Sequence, residues 1–177
     1  MQIIAGKLKG QTFNTPKGHK THPMSDRIKN GLFNSLGDIT KLNVLDAFAG
    51  SGALSFEAIS RGALSVIAID ADYQAFSIIK DNVSKLGLKD QVKVSKVFLK
   101  SWLKNNQDLK FDLILADPPY HDINLDSINL LPSVLKTNGI LVLSLPKQLS
   151  TPDINQLIAI KDKQYGDAQL VFYQKIS

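Results

Sequence analysis

The sequence predicts an α/β fold with a mainly parallel sheet and a reversed hairpin at one edge. Three observations carry that expectation. From residue 43, short apolar runs alternate with longer amphipathic stretches, the pattern of βαβ units. Gly62, Gly87 and Gly139 fall where the intervening helices should stop. After Pro146 the helical spacing is lost, and INQLIAIKDKQYGDAQLVFYQK reads as two strands around Tyr165-Gly166-Asp167.

Each element follows in chain order. MQIIAGKLKGQTF reads as a short strand or hairpin turning at Gly6. THP interrupts it, and SDRIKNGLFNSLG then fits a helix capped by Ser25, with Ile28, Leu32, Phe33 and Leu36 on one face. NVLDAF, SVIAID, VKVSKV, FDLILAD and GILVLSL read as strands. Between them lie ALSFEAISRGA, YQAFSIIKDNVSKLG, FLKSWLKN and a helical stretch through INLDSINLLPSVL. The closing hairpin brings the expected sheet to seven strands. Trp102 and Tyr165 are expected in the core, and no repeat or low-complexity linker breaks the chain.

Composition narrows the function classes. The 177 residues are 44% hydrophobic and 21% charged, the balance of a globular protein that buries one core without staples. There is no cysteine, which removes disulfides, thiol nucleophiles, Fe–S clusters and thiolate zinc sites. His19, His22 and His121 share no metal-ligand spacing, so no metal is expected. No run approaches the roughly 20 apolar residues that cross a bilayer, and a cytoplasmic location without a membrane partner is expected. The net charge of +5 is uneven. Residues 1–41 hold seven basic groups (Lys7, Lys9, Lys17, Lys20, Arg27, Lys29 and Lys41) against Asp26 and Asp38, while residues 42–177 balance at 14 of each sign. Clustered cations gain by displacing counterions from phosphates, so a polyanion partner at this end is the functional reading. A merely solvated lysine-rich surface is the alternative.

Three motifs carry chemistry. In Val44-Leu45-Asp46-Ala47-Phe48-Ala49-Gly50-Ser51-Gly52-Ala53-Leu54 a strand ends in a glycine loop that opens a helix. Gly50 and Gly52 allow close approach of a ligand to the backbone at the carboxyl end of the strand. A dinucleotide fingerprint would want a third small residue three positions after Gly52, where Ser55 is a tolerable substitute. Asp46 would repel a pyrophosphate but accepts bonds from an ammonium group, which favours a cationic amino-acid ligand; an exposed turn aspartate is the alternative. Asp70 ends the next strand, twenty residues after Gly50, where an acid accepts both hydroxyls of a ribose or else caps the next helix. Asp72 is expected to begin that helix.

The third motif, Ala116-Asp117-Pro118-Pro119-Tyr120, is the most specific. Two prolines hold the backbone extended and remove two donors, so nearby carbonyls face outward as free acceptors. A carboxylate, a rigid carbonyl and an aromatic face within four residues form a clamp for a planar group bearing NH₂. An ordinary proline turn is the alternative.

Together these segments resemble class I S-adenosylmethionine-dependent methyltransferases, and in detail the RsmD family of small-subunit (16S) ribosomal RNA guanine-N2 methyltransferases. IIAGKLKGQTF, THPMSDRIKNGLFNSL, LDAFAGSGALSFEAISRGA, DPPY and YGDAQLVFYQ carry the likeness nearly end to end, and the N-terminal part is the most family-specific. The resemblance implies a Rossmann-like, seven-stranded, mostly parallel sheet with an antiparallel edge hairpin. It divides the chain into a basic N-terminal extension, residues 1–40, and a methyltransferase domain, residues 41–177. It implies S-adenosyl-L-methionine held by Asp46, Phe48, Gly50, Gly52, Asp70, Ala71, Val97 and Phe98. Catalysis falls to Asp117, Pro118 and Tyr120, and RNA binding to Lys7, Lys9, Lys17, Lys20, Ser25 and Arg27. The implied partner is small-subunit ribosomal RNA or an assembling small ribosomal subunit, met by a monomer.

The sequence departs from the family pattern at four places. His22 replaces the usual arginine, Asn30 a common acid, and Val97-Phe98 the Asp or Asn offered to adenine. ILVLSLPK lacks the acids usual after the fifth strand. An adenine-N6 methyltransferase on DNA or RNA uses the same clamp. A nicotinamide-dependent oxidoreductase would use the glycine loop and Asp70 but leaves Asp46 and the prolines without a role. A non-catalytic RNA-binding protein would need the basic segment alone.

Overall fold

The computed structural model describes residues 1–16 and 24–176. Lys17, His19, Lys20 and His22 lie outside the described residues. The sheet contains β1 (Asn43–Asp46), β2 (Ser65–Asp70), β3 (Val92–Lys96), β4 (Phe111–Ala116), β5 (Leu135–Pro146), β6 (Leu157–Tyr165) and β7 (Ala168–Lys175). Their order is β3-β2-β1-β4-β5-β7-β6. The first five are parallel, while β7 runs antiparallel between β5 and β6. The mostly parallel sheet and the reversed edge hairpin are therefore as the periodicity predicts. The order reverses beside β1, the place where open α/β sheets bind ligands.

Helices α1 (Asp26–Leu36), α2 (Ala53–Ser60) and α3 (Tyr73–Lys85) bury Leu32, Phe33, Phe56, Ile59 and Ile79 in the core on one face of the sheet. On the other face, α4 (Leu99–Asn105) and α5 (Leu125–Ile128) bury Leu99, Trp102, Leu103 and Ile128. Ser25 caps α1, with Ile28 N–H donating to its hydroxyl at 3.4 Å. Asp72, not Asp70, caps α3 by accepting from Ala75 N–H at 2.9 Å.

The expected long helix through residues 123–135 does not form. α5 stops at Ile128, a 3₁₀ turn occupies Leu131–Val134, and β5 begins at Leu135, before Gly139. Pro132 explains the break, because a helix running through it would lose a hydrogen bond and clash with the carbonyl four residues earlier, that of Ile128. Gly139 consequently sits inside β5 rather than after a helix. A Cβ there would lie 2.8 Å from both Leu135 Cδ1 and the Lys136 carbonyl oxygen, so close packing, not helix termination, explains this glycine.

Residues 1–16 form an arm packed into the shared core through Ile3 and Phe13. One bridge pairs Gln2 with Thr12. The arm is pinned to α2 by Ile4 and Ala5 N–H groups donating to Glu57 (2.9 and 3.1 Å). Asn14 and Asn82 exchange bonds of 2.9 and 2.8 Å and fix its far end to α3. The tip of the arm points toward the amino ends of the strands, since Lys7 Nζ reaches Gln91, just before β3, at 3.3 Å.

Candidate active site

The carboxyl ends of β2, β1 and β4 lie side by side and each carries an aspartate: Asp70, Asp46 and, one residue past β4, Asp117. Adjacent strands are about 4.8 Å apart, so the three acids form a short row. Among the described residues, no Lys or Arg is ion-paired with any of them.

Asp46 is fully buried, which excludes an exposed turn aspartate. Its Oδ2 accepts from Ser55 Oγ at 2.6 Å, while Oδ1 has no donor. Burial, reinforced by the charges of Asp117 and Asp70, pushes its pKa up to about 7 against the bond from Ser55. Ser55, the sequence's approximate third small residue, thus braces the acid. Gly50 and Gly52 take φ of 53° and 81°, and a Cβ on Gly52 would lie 2.7 Å from the Phe56 ring, so the loop needs glycine there on both counts. Phe48 is half-buried within the loop.

Asp70 accepts Gly50 N–H through Oδ2 and Asp72 N–H through Oδ1, both at 2.8 Å. It therefore ties the glycine loop to the β2 turn, and each oxygen keeps a lone pair for a further donor. Burial is the main cause of its raised pKa. Ala71 is exposed and Val97 half-buried beside it, with Val97 N–H donating to the Asp70 carbonyl at 3.0 Å. Phe98 is 74% exposed at the head of α4, a large apolar ring on the same sheet end.

Asp117 is half-buried, and burial raises its pKa to about 6 although the Ser144 hydroxyl lowers it. The hydroxyls of Tyr120 and Ser144 lie 2.9 Å apart, so a β5 side chain holds the tyrosine end of the proline turn. Pro118 is buried. The Pro119 carbonyl accepts Asp122 N–H at 2.9 Å, whereas no described donor reaches the Pro118 carbonyl. Tyr120 keeps 40% of its surface exposed, and His121 is exposed in the following loop. Sequence reasoning missed Ser144, where the absence of an acid drew attention away from the hydroxyl.

The basic residues divide. α1 descends from the site's end of the sheet, because Gly31 lies against the Tyr165 hydroxyl and Tyr165 closes β6 beside the end of β5. Arg27 is exposed at the start of α1. Asp26 pairs with buried Lys29 at 3.2 Å rather than with Arg27. Ser25 is engaged in capping. Lys7 and Lys9 are exposed near the opposite end of the sheet.

This strand order, with a glycine loop after β1 and a reversed β7, defines a class I methyltransferase fold. The solved structure of yhhF from Escherichia coli superposes with a TM-score of 0.89 at 26% identity, covering 99% of this chain and 98% of that one. HI0767 from Haemophilus influenzae gives 0.83 at 31%, with the same coverages. The family described as Conserved hypothetical protein 95 matches residues 1–174, and the chain belongs to it. This is the RsmD family of the sequence resemblance. Among curated relatives, Ribosomal RNA small subunit methyltransferase D of Haemophilus influenzae is 33% identical over 98% of this chain and 93% of its own length. The protein of the same name from Buchnera aphidicola of Acyrthosiphon pisum is 32% identical over 84% and 79%.

Proposed function

We propose that the protein transfers the methyl group of S-adenosylmethionine to the exocyclic N2 amine of a guanine in small-subunit ribosomal RNA. One observation carries the reading: an unpaired row of three carboxylates stands beside a proline-rigid clamp for an NH₂ group. Repelling acids without a protein counter-charge suit a cationic ligand, and the Asp46 Oδ1 without a donor suits its ammonium end. Asp70 would hold the ribose hydroxyls, Gly50 and Gly52 would admit the chain of the ligand, and Ala71, Val97 and Phe98 would flank the adenine. When bound, the cofactor supplies an electrophilic methyl on a sulfonium that is a good leaving group. The names of the curated relatives support ribosomal RNA as substrate.

The residues of the clamp do the rest. A guanine N2 amine is a poor nucleophile because its lone pair is delocalised into the ring. The Asp117 carboxylate and the Pro118 carbonyl accept its two N–H bonds and localise that pair toward the methyl. Tyr120 stacks on the base, and Ser144 fixes the tyrosine hydroxyl. The amine proton would leave after transfer, with no strong base required. Catalysis is then mainly positioning and preorganised electrostatics. Arg27, with Lys17, Lys20 and Ser25, would meet the RNA, while Lys7 and Lys9 would meet only a substrate that wraps around the sheet. A monomer acting in the cytoplasm completes the reading.

The same clamp fits adenine N6, and nucleoside analysis separates the two. Small-subunit ribosomal RNA from cells lacking the gene should lose one N2-methylguanosine. Loss of an N6-methyladenosine, or of no modified nucleoside, would overturn the assignment.

A further inference from the structure

Charges that balance in total over residues 42–177 are not balanced in space. Residues 92–105 carry Lys93, Lys96, Lys100 and Lys104 and no acid. All four are exposed, and none is ion-paired among the described residues. Lys93 and Lys96 lie on β3, the edge strand, while Lys100 and Lys104 are one turn apart on the outer face of α4. The inner face of α4 is already committed to the core through Leu99, Trp102 and Leu103.

An aromatic residue stands at the head of this edge. Tyr73, the first residue of α3, is 66% exposed, and Lys96 Nζ sits 5.2 Å from its ring centroid. The ring also lines an open groove of about 800 Å³ between the N-terminal arm and α3. Asn14, Thr15, Gln74 and Ser77 line the same groove and offer hydrogen-bonding groups. The Asn14–Asn82 bonds hold the arm's wall in place. None of these groups belongs to the acid row or the proline clamp.

We propose that this groove and the β3–α4 edge form a second RNA-binding surface, which takes a single-stranded segment next to the methylated one. Exposed lysines contact phosphates, and an uncovered tyrosine stacks on a base, the pairing that single-stranded nucleic acid requires. Lys96 and Tyr73 stand at the site's end of β3, three strands and about 14 Å from Asp117, while Lys93 and, on the other face of the sheet, Lys104 carry the surface around the edge toward the amino ends of the strands. That separation leaves the clamp free to receive the target base while flanking nucleotides are held at the edge. The inference rests on the RNA-methyltransferase reading.

The test uses the full chain, a labelled short oligoribonucleotide and its annealed duplex, with fluorescence anisotropy read over a salt series. Replacing Lys93, Lys96, Lys100 and Lys104 together by Ser should shrink the salt slope for the single strand by about 0.7 for each phosphate that is no longer neutralised. Tyr73→Ala should weaken single-strand binding by about tenfold and leave duplex binding near wild type. Unchanged affinity and slope in the folded quadruple variant would overturn the proposal. So would equal losses on single strand and duplex after Tyr73→Ala, because they mark a general polyanion face. Calorimetry with S-adenosylhomocysteine verifies that both variants stay folded. If the wild type methylates RNA and the variants bind it normally, only the edge surface fails. If the wild type binds RNA at the edge but methylates none, the functional reading fails alone.

Discussion

Two buried carboxylates in one βα unit have opposite fates. Glu57, inside α2, is fully buried, and both oxygens are engaged: Arg61 Nε at 2.8 Å and Ala5 N–H at 3.1 Å reach Oε1, and Ile4 N–H reaches Oε2 at 2.9 Å. Asp46, at the tip of β1, is equally buried, yet one oxygen has no donor and the neighbouring charges are acids. A buried carboxylate with a complete set of partners holds the fold together. One left incomplete is costly until a cationic group stands beside it. On the proposed function, the contrast separates acids that hold the fold together from acids kept for a ligand.

The largest expected effect breaks the first half of the comparison. Glu57→Ala strands Arg61 and the Ile4 and Ala5 N–H groups, and should cost about 3–5 kcal/mol of stability, read by denaturant unfolding. A loss within experimental error would show that the arm does not depend on this anchor. Next comes the site. Asp117→Ala should lower turnover by roughly 10² or more while cofactor affinity stays within a few-fold, since the carboxylate acts mainly in the transition state. Near-normal turnover would remove its role.

Asp70 sharpens the division because it has both kinds of partner. Asp70→Ala should weaken S-adenosylmethionine and S-adenosylhomocysteine alike by about 1–3 kcal/mol in calorimetric titration. The N-cap of α3 is Asp72, so a large fall in melting temperature with unchanged affinity is the result that would refute a ribose contact. The smallest effect belongs to Ser144→Ala, with roughly tenfold slower turnover. The Ser144 hydroxyl lowers the Asp117 pKa, so its removal should move the acid limb of the kcat/KM profile above pH about 6. Ser144→Thr should restore the limb, and an unmoved limb would leave Ser144 with Tyr120 alone.

How much of this the sequence reveals depends on the range of the interaction. The strand-tip glycine loop, the two-proline turn after β4 and the edge hairpin are local patterns, and the fold keeps them. Asp70 at the end of its strand is legible for the same reason. The burial of Asp46 is not, because its cover comes from the arrangement of three strands and a helix. Ser144 lies 24 residues from Tyr120, a pairing visible only once β5 is laid beside β4. The helix expected up to Gly139 failed on a local signal that was present, Pro132. The Asp26 partner is Lys29, three residues along α1, where helical spacing already favoured it over adjacent Arg27. The placement of Lys7 far from the clamp follows from the direction of the arm, which only tertiary contacts with α2 determine.

The claim that the unpaired carboxylates seat a cationic cofactor is tested most directly by calorimetry of the intact protein with S-adenosylmethionine, near pH 7 in two buffers of different ionisation heat. Burial raises the Asp46 pKa to about 7, so the carboxyl is partly protonated near that pH. A cation beside it favours the charged form and pulls that pKa down. The account predicts one site per chain and net release of protons on binding, with the release lost in Asp46→Asn. Absence of binding, or binding with no proton release in the wild type, would contradict it.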